Sequence, residues 1–385
     1  MNKSVVMVCS QYPPIYGGAG QQAKLLSQTL VSRGWEVAVV TLDQKGVGSS
    51  LGQGLGVVRL LRGIAGTGKL QRALTTIALG LGAASIILKR RPTAVHVHGA
   101  YWWSIPAVLA GRLVSATTVV KVTRDGEDDP ETVLGRKFLR AVPLGWLYGL
   151  SLRASDYVVV LSTEAYEKAK AFVPAKRLRL VRNGVDLHAL DRTEERRESA
   201  RKKYGVGPET KVTTFIGYLV EHKGILDLLS AWKLRSKTSN SELWLVGPYE
   251  GFYRELTSRA ISEISAMQAV GFKIRLFGHV DPQEMPSIYW ASDVFTLPSY
   301  SEGMPNSLAE AIAAGCVVVG TAIPGITDIA RLAPSVLIEP GDVHALTKAL
   351  DSAELIGHSN FSEHRAGLGI ENTASLIEEL YVSST

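Results

Sequence analysis

The sequence predicts an α/β protein made of two Rossmann-like domains that face each other across a cleft. Three observations carry this. Short runs rich in Val and Leu alternate with helical patterns along the whole chain. A charged stretch at 191–203 (DRTEERRESARKK) interrupts that rhythm near mid-chain. The 385 residues also exceed what one hydrophobic core usually serves.

In the first half the runs fall at 5–9, 37–41, 57–61, 94–97, 118–123, 157–161 and 178–181. They are apolar with little alternation, which suits strands covered on both faces of a parallel sheet. Helical patterns lie between several of them, at 21–33, 69–90 and 164–172. The stretch 191–203 has helical composition and almost no apolar face, so it reads as an exposed connector next to a domain boundary. An N-terminal domain is expected over 1–187 and a C-terminal domain over 188–371. A last helix within 372–385 is expected to pack back toward the N-terminal domain.

The second half repeats the rhythm at 212–216, 243–246, 274–277, 294–297, 317–319 and 336–338. These runs stop abruptly at Gly217, Gly247, Gly278, Pro298, Gly320 and Pro340. A glycine after a strand allows a sharp turn and a close approach of ligand to backbone. Ligands of open parallel sheets bind beyond the carboxyl ends of the strands. The glycines therefore mark one edge, and that edge is the expected site.

Composition narrows the classes. A net charge of +6 is mild for this length and gives no argument for nucleic acid. Residues 59–91 hold Arg59, Arg62, Lys69, Arg72, Lys89, Arg90 and Arg91 and no acid. They form either a solvated basic face or a contact with anionic lipid or phosphate. The basic segment 136–153, with Trp146 and Tyr148, has the same two readings. The longest apolar run, 73–88, is too short to span a bilayer. Cys9 and Cys316 both sit in strand-like runs and read as buried thiols in a reducing compartment. The N-terminus lacks the features of a signal peptide. A cytoplasmic protein is expected, located at the inner face of the plasma membrane if the basic segments engage lipid.

The stretch 299–315, SYSEGMPNSLAEAIAAG, carries the chemistry. A loop with Gly303 and Pro305 leads to a helix starting near Ser307 and closing at Gly315. Free backbone N–H groups in a first turn are an anion site suited to a diphosphate. Glu302 on the loop and Glu310 one turn into the helix can both accept hydrogen bonds from sugar or ribose hydroxyls. Alone, Ser307 and Glu310 also form a capping box. A cap has no use for Glu302, and that favours the ligand reading.

This frame, PSxSEGxPxSLxEAxAxG, resembles the signature of the family 4 retaining glycosyltransferases, which have the GT-B fold. The resemblance implies that Glu310 binds the donor ribose and Glu302 lies beside the transferred sugar. The backbone of Gly303, Met304, Pro305, Asn306 and Ser307 would hold the diphosphate. Residues 215–224 resemble the family segment in which an Arg and a Lys neutralise that diphosphate. Lys223 matches, but Tyr218 stands at the Arg position, and a phenol cannot supply the missing charge. His279 and Val280 resemble the segment that reads the base, and Gly17 and Gly18 the loop over the donor phosphate. Asn183-Gly184-Val185-Asp186 resembles a family turn and is given no catalytic role.

On the acceptor side the candidates are His98, Arg124 and Asp125. His96 and His98 alternate onto one face, but a metal site would need further ligands, and none is expected. No cofactor is expected, because the nucleoside diphosphate sugar is a substrate. The implied reaction retains configuration and moves a sugar to a saccharide or lipid-linked saccharide, in cell-surface polysaccharide biosynthesis. A sugar-nucleotide epimerase and a non-catalytic sugar-nucleotide-binding partner are the rival readings. The second is motivated by Tyr218 and by the absence of a histidine near Arg124.

Overall fold

A computed structural model of the chain describes residues 3–14, 17–43, 46–61, 69–123, 128–135, 137–138, 142–143, 149–235, 240–249, 254–356 and 365–383. The chain divides into two compact units, one of Met1–Gly184 with Ile370–Thr385, the other of Val185–Gly369.

The first unit holds strands β1 (Ser4–Cys9), β2 (Glu36–Leu42), β3 (Ser50–Leu51), β4 (Leu55–Leu60), β5 (Ala94–His98), β6 (Thr117–Lys121), β7 (Lys137–Phe138), β8 (Val142–Pro143), β9 (Tyr157–Val160) and β10 (Leu178–Leu180). Eight of them form a sheet of order β10-β9-β6-β5-β1-β2-β4-β3, parallel except for the short β3. Its long strands are the runs expected from the sequence. The brief β3 and the β7–β8 pair are not legible there, because two residues carry no periodicity.

Both faces of this sheet are covered. On one side Val6, Val8, Val95, Val97 and Val120 meet Leu79, Ala83 and Ile87 of the helix Lys69–Arg90, with Ala107 and Val108 of Ser104–Leu113. On the other, Val5, Met7, Val37 and Val39 meet Leu26 and Leu30 of the helix Gly18–Ser32. Fully burying such side chains is worth about 1.5–3 kcal/mol each. The last helix, Ile370–Val382, joins this second layer through Ala374, Ile377 and Tyr381, spaced as one helical stripe. Polar ties fix it there. Trp35 Nε1 donates to Glu378 at 2.6 Å, and His96 Nδ1 and the Tyr381 hydroxyl are 2.7 Å apart.

The second unit holds β11 (Lys211–Ile216), β12 (Ser241–Val246), β13 (Ile274–Gly278), β14 (Val294–Leu297), β15 (Val317–Thr321) and β16 (Ser335–Ile338). They form a fully parallel sheet of order β13-β12-β11-β14-β15-β16. This is the doubly wound order, and it reverses direction between β11 and β14, where ligands of such sheets bind.

Two expectations need correction. Gly320 does not end a strand; β15 runs on to Thr321. The charged stretch is not simply exposed. It forms the helix Glu194–Lys203, whose Arg197 and Arg201 side chains are buried around Asp293, at 2.7 and 3.3 Å. A guanidinium pair around one carboxylate replaces the apolar stripe that periodicity would reveal, so composition alone misreads the helix as solvated.

Candidate active site

The carboxyl edge of the second sheet begins with a ladder of glycines. Gly217 N–H donates to the Val246 carbonyl at 2.9 Å, and Gly247 N–H to the Gly278 carbonyl at 2.8 Å. Gly247 has φ 138°, and a Cβ there would lie 2.1 Å from the Gly217 oxygen. The strand ends therefore approach more closely than side chains allow.

At the switch point two loops meet. One leaves β11 through Gly217 and Tyr218 and makes a single 3-10 turn, Glu221–Lys223. The other leaves β14 through Pro298 and Ser299. Gly224 makes their contact possible. Its φ is +67°, and a Cβ would come 2.0 Å from the Pro298 carbonyl oxygen. Tyr300 N–H donates to the His222 carbonyl at 2.8 Å and fastens the two loops together.

This contact brings Lys223 Nζ to 2.5 Å from Glu302 Oε1. Both side chains are largely buried, at 18% and 10% exposure. The Ser299 hydroxyl donates to the same carboxylate oxygen at 2.7 Å. Behind the loop, Thr321 Oγ1 donates to the Ser299 carbonyl at 2.5 Å. Gly325, in the helix Pro324–Ala330, leaves room for the Glu302 carbonyl, which a Cβ would meet at 2.3 Å. Glu302 is thus positioned from both sides.

The adjoining helix is Asn306–Ala313, starting one residue before Ser307. Its N-cap is Pro305, with no side-chain cap. The capping box does not form. Ser307 Oγ donates instead to the Ile216 carbonyl at 3.2 Å, tying the helix start to the end of β11. Glu310 accepts a hydrogen bond from the Tyr289 hydroxyl at 2.6 Å. Burial of this carboxyl group pushes its pKa up to about 6, against the lowering effect of the Tyr289 bond. Met304 and Pro305 are buried, while Gly303 and Asn306 remain partly exposed at the surface.

His279 and Val280 follow β13, at the edge of the sheet and two strands from β11. His279 is exposed. They share the carboxyl edge with Lys223 and Glu302.

In the first unit the switch point lies between β1 and β5. Gly17 and Gly18 stand at the start of the helix that follows β1. The glycine the packing requires is Gly20, where a Cβ would meet the Gln11 carbonyl oxygen at 2.6 Å. His98 ends β5 and is 3% exposed, its ring stacked on His96 at 4.4 Å. Burial, with His96 and Lys121 nearby, holds its pKa well below the ordinary histidine value. Lys121, which the sequence reading passes over, is buried and donates to Asn183 Oδ1 at 2.7 Å. Asn183 and its successors serve the chain crossing. Gly184 packs on Ile370, and Asp186 caps the helix Leu187–Leu190. Arg124 and Asp125 lie outside the described residues. The neighbouring acids have structural partners: Asp128 accepts from the Ala100 and Thr123 amides, and Asp129 caps the helix Pro130–Leu134. Among the described residues, no group of three or more His, Cys, Asp or Glu could hold a metal ion.

Residues 17–184 match the family model for a glycosyl transferase 4-like domain, and residues 210–353 that for glycosyl transferases group 1. The chain belongs to the family 4 glycosyltransferases. This glycosyltransferase is similar to the 2-deoxystreptamine N-acetyl-D-glucosaminyltransferase of Streptomyces fradiae, 28% identical over 361 residues, 88% of this chain and 82% of the relative. Its structure resembles sucrose-phosphate synthase from Thermosynechococcus elongatus, with a TM-score of 0.78 at 18% identity, covering 99% of this chain and 98% of that one. It also resembles the HepE protein of Anabaena, solved in complex with UDP-glucose, with a TM-score of 0.72 at 14% identity over 99% of each chain. These likenesses establish the GT-B fold, and the two family matches establish the glycosyltransferase as an enzyme.

Proposed function

We propose that the enzyme moves a sugar from a nucleoside diphosphate sugar, with retention of configuration, to a saccharide or lipid-linked saccharide in cell-surface polysaccharide biosynthesis. The observation that carries the donor assignment is the Lys223–Glu302 pair at the switch point, beside the start of the helix Asn306–Ala313. A buried ion pair is weak evidence for stability, since apolar residues of similar size often stabilise as well. A cation and a carboxylate held 2.5 Å apart, next to the N-terminus of a helix, match instead a diphosphate joined to a polyhydroxyl ring. The UDP-glucose complex of HepE supports the same donor class.

In this reading Lys223 and the helix start take up charge on the departing diphosphate, which is electrostatic stabilisation of a developing anion. Glu302 orients the sugar through its hydroxyls. Glu310 accepts from the ribose, and the backbone at His279 and Val280 borders the base. The bond from the anomeric carbon to phosphate oxygen breaks as the acceptor oxygen bonds on the same face. The acceptor proton passes to the departing phosphate. The reading calls on no metal or other cofactor. A cytoplasmic setting suits the free, buried thiols of Cys9 and Cys316.

The test is a thermal-shift panel of nucleoside diphosphate sugars, followed by NMR of the product with the donor that binds. Stabilisation by one donor and a product of unchanged anomeric configuration are expected. A panel in which no member raises the melting temperature would overturn the donor assignment, and an inverted product would overturn retention.

A further inference from the structure

In the N-terminal unit the helices Lys69–Arg90 and Ser104–Leu113 lie side by side on one face of the sheet. A Cβ on Gly80 would stand 2.8 Å from the Trp103 carbonyl oxygen, so the first helix reaches the segment leading into the second. Leu79, Ala83 and Ile87 point inward and are fully buried. The outward side is apolar as well. Leu74, Ile77, Leu81 and Leu88 are between 41% and 60% exposed, at the spacing of one helical stripe. The neighbouring helix adds Leu109 and Leu113, the latter 76% exposed. A helix resting on a sheet needs one apolar stripe; the core accounts for the inner one and leaves the outer one unexplained.

Charge says what covers it. Both helices end at the edge where the strands begin, and cations gather there. Lys89 and Arg90 close the first helix and Arg112 stands in the last turn of the second. Arg153, Lys176 and Arg177 line an adjoining open recess together with Leu109 and Arg112. The acids at this edge are engaged. Glu36 is 3.5 Å from Arg90, and Asp156 pairs with Arg112 while accepting from Thr118. Cations at helix ends are common. A solvent-facing leucine stripe that runs into them is the pattern of an interfacial helix.

We infer that this face docks on the surface of an anionic phospholipid bilayer, with the leucines at the acyl boundary and the basic edge on the headgroup phosphates. A second copy of the chain would not supply the anions that this basic edge lacks, whereas headgroup phosphates do. No helix among the described residues is long and apolar enough to cross a membrane. The inference does not depend on the donor assignment.

Vesicle flotation tests it. The full chain should float with phosphatidylglycerol–phosphatidylcholine vesicles at low salt, and binding should fall with added salt and with pure phosphatidylcholine. Leu81→Glu with Leu113→Glu should lower the bound fraction about tenfold or more, with an unchanged melting temperature. Lys89→Ser with Lys176→Ser should weaken binding roughly fivefold per cation removed. Failure to float with anionic vesicles, or undiminished flotation of the leucine double variant, would overturn the assignment. A concentration-dependent dimer abolished by the same leucine changes would also overturn it and make a second copy the occupant.

Discussion

Lys223 Nζ lies 2.5 Å from Glu302 Oε1, so the two residues proposed to meet the diphosphate and the sugar neutralise each other. A bound donor must compete for this contact. The Ser299 hydroxyl, which donates to the same oxygen at 2.7 Å, would hold Glu302 in place if Lys223 turned to the phosphate of the proposed donor.

The pair should therefore respond asymmetrically to mutation. Lys223→Ala should weaken binding of the nucleoside diphosphate about 10- to 100-fold, the value of a charge-assisted hydrogen bond. Glu302→Gln frees the ammonium, so nucleoside diphosphate should bind as well or better while kcat falls about 100-fold. Calorimetry with the diphosphate alone and initial rates separate the two. Equal losses of affinity in both variants would show that the pair is only structural.

Glu310 gives a pH signature. Its carboxyl pKa is raised from 4.5 to about 6 by burial. Between those values the folded protein binds more protons than the unfolded chain. Stability should then fall as pH rises through this window and level off above it, by at most about 2 kcal/mol for a partly accessible group. Glu310→Gln keeps an acceptor for Tyr289, so it should flatten this dependence and raise the melting temperature near neutral pH. Nucleoside binding should weaken in the same variant. Denaturation measured from pH 4.5 to 7 checks the first effect and calorimetry the second.

Gly224 and Gly205 form a matched test of close packing. Their φ values are +67° and +64°, but only Gly224 faces an obstacle, the Pro298 oxygen at 2.0 Å. Gly205→Ala should cost about 1 kcal/mol for the left-handed backbone. Gly224→Ala should cost roughly 2–5 kcal/mol and abolish donor binding, since the two loops must part. Urea unfolding of both variants measures the difference.

Tyr218 occupies the position where the family resemblance places an arginine. Tyr218→Arg should tighten nucleoside diphosphate binding severalfold and steepen its salt dependence. Affinity unchanged at low salt would place Tyr218 away from the phosphates.

Much of this was legible in the sequence for a local reason. The Val- and Leu-rich runs became the long strands because burial on both faces leaves a mark in each run. Glu302, Gly303 and the helix start could be placed from one contiguous stretch. Misreadings came where a partner is distant in sequence. Tyr289 holds Glu310 from another helix, and nothing in its own neighbourhood announces this. Arg197 and Arg201 look solvated until Asp293 is beside them. The close backbone approach of the first loop falls on Gly20, which no motif in the sequence singled out.

By itself, then, the sequence determined the alternation of strand and helix, the glycine-marked carboxyl edge and the contiguous motif that carries Glu302, Ser307 and Glu310. The tertiary structure decided how those residues meet. Sheet order sets β11 next to β14, and that neighbourhood, which no local pattern encodes, brings Lys223 to Glu302 and ties Ser307 to the end of β11. It also decided that Glu310 is a largely buried carboxyl group held by Tyr289, because burial belongs to the packed layers and not to the eight-residue helix that carries it.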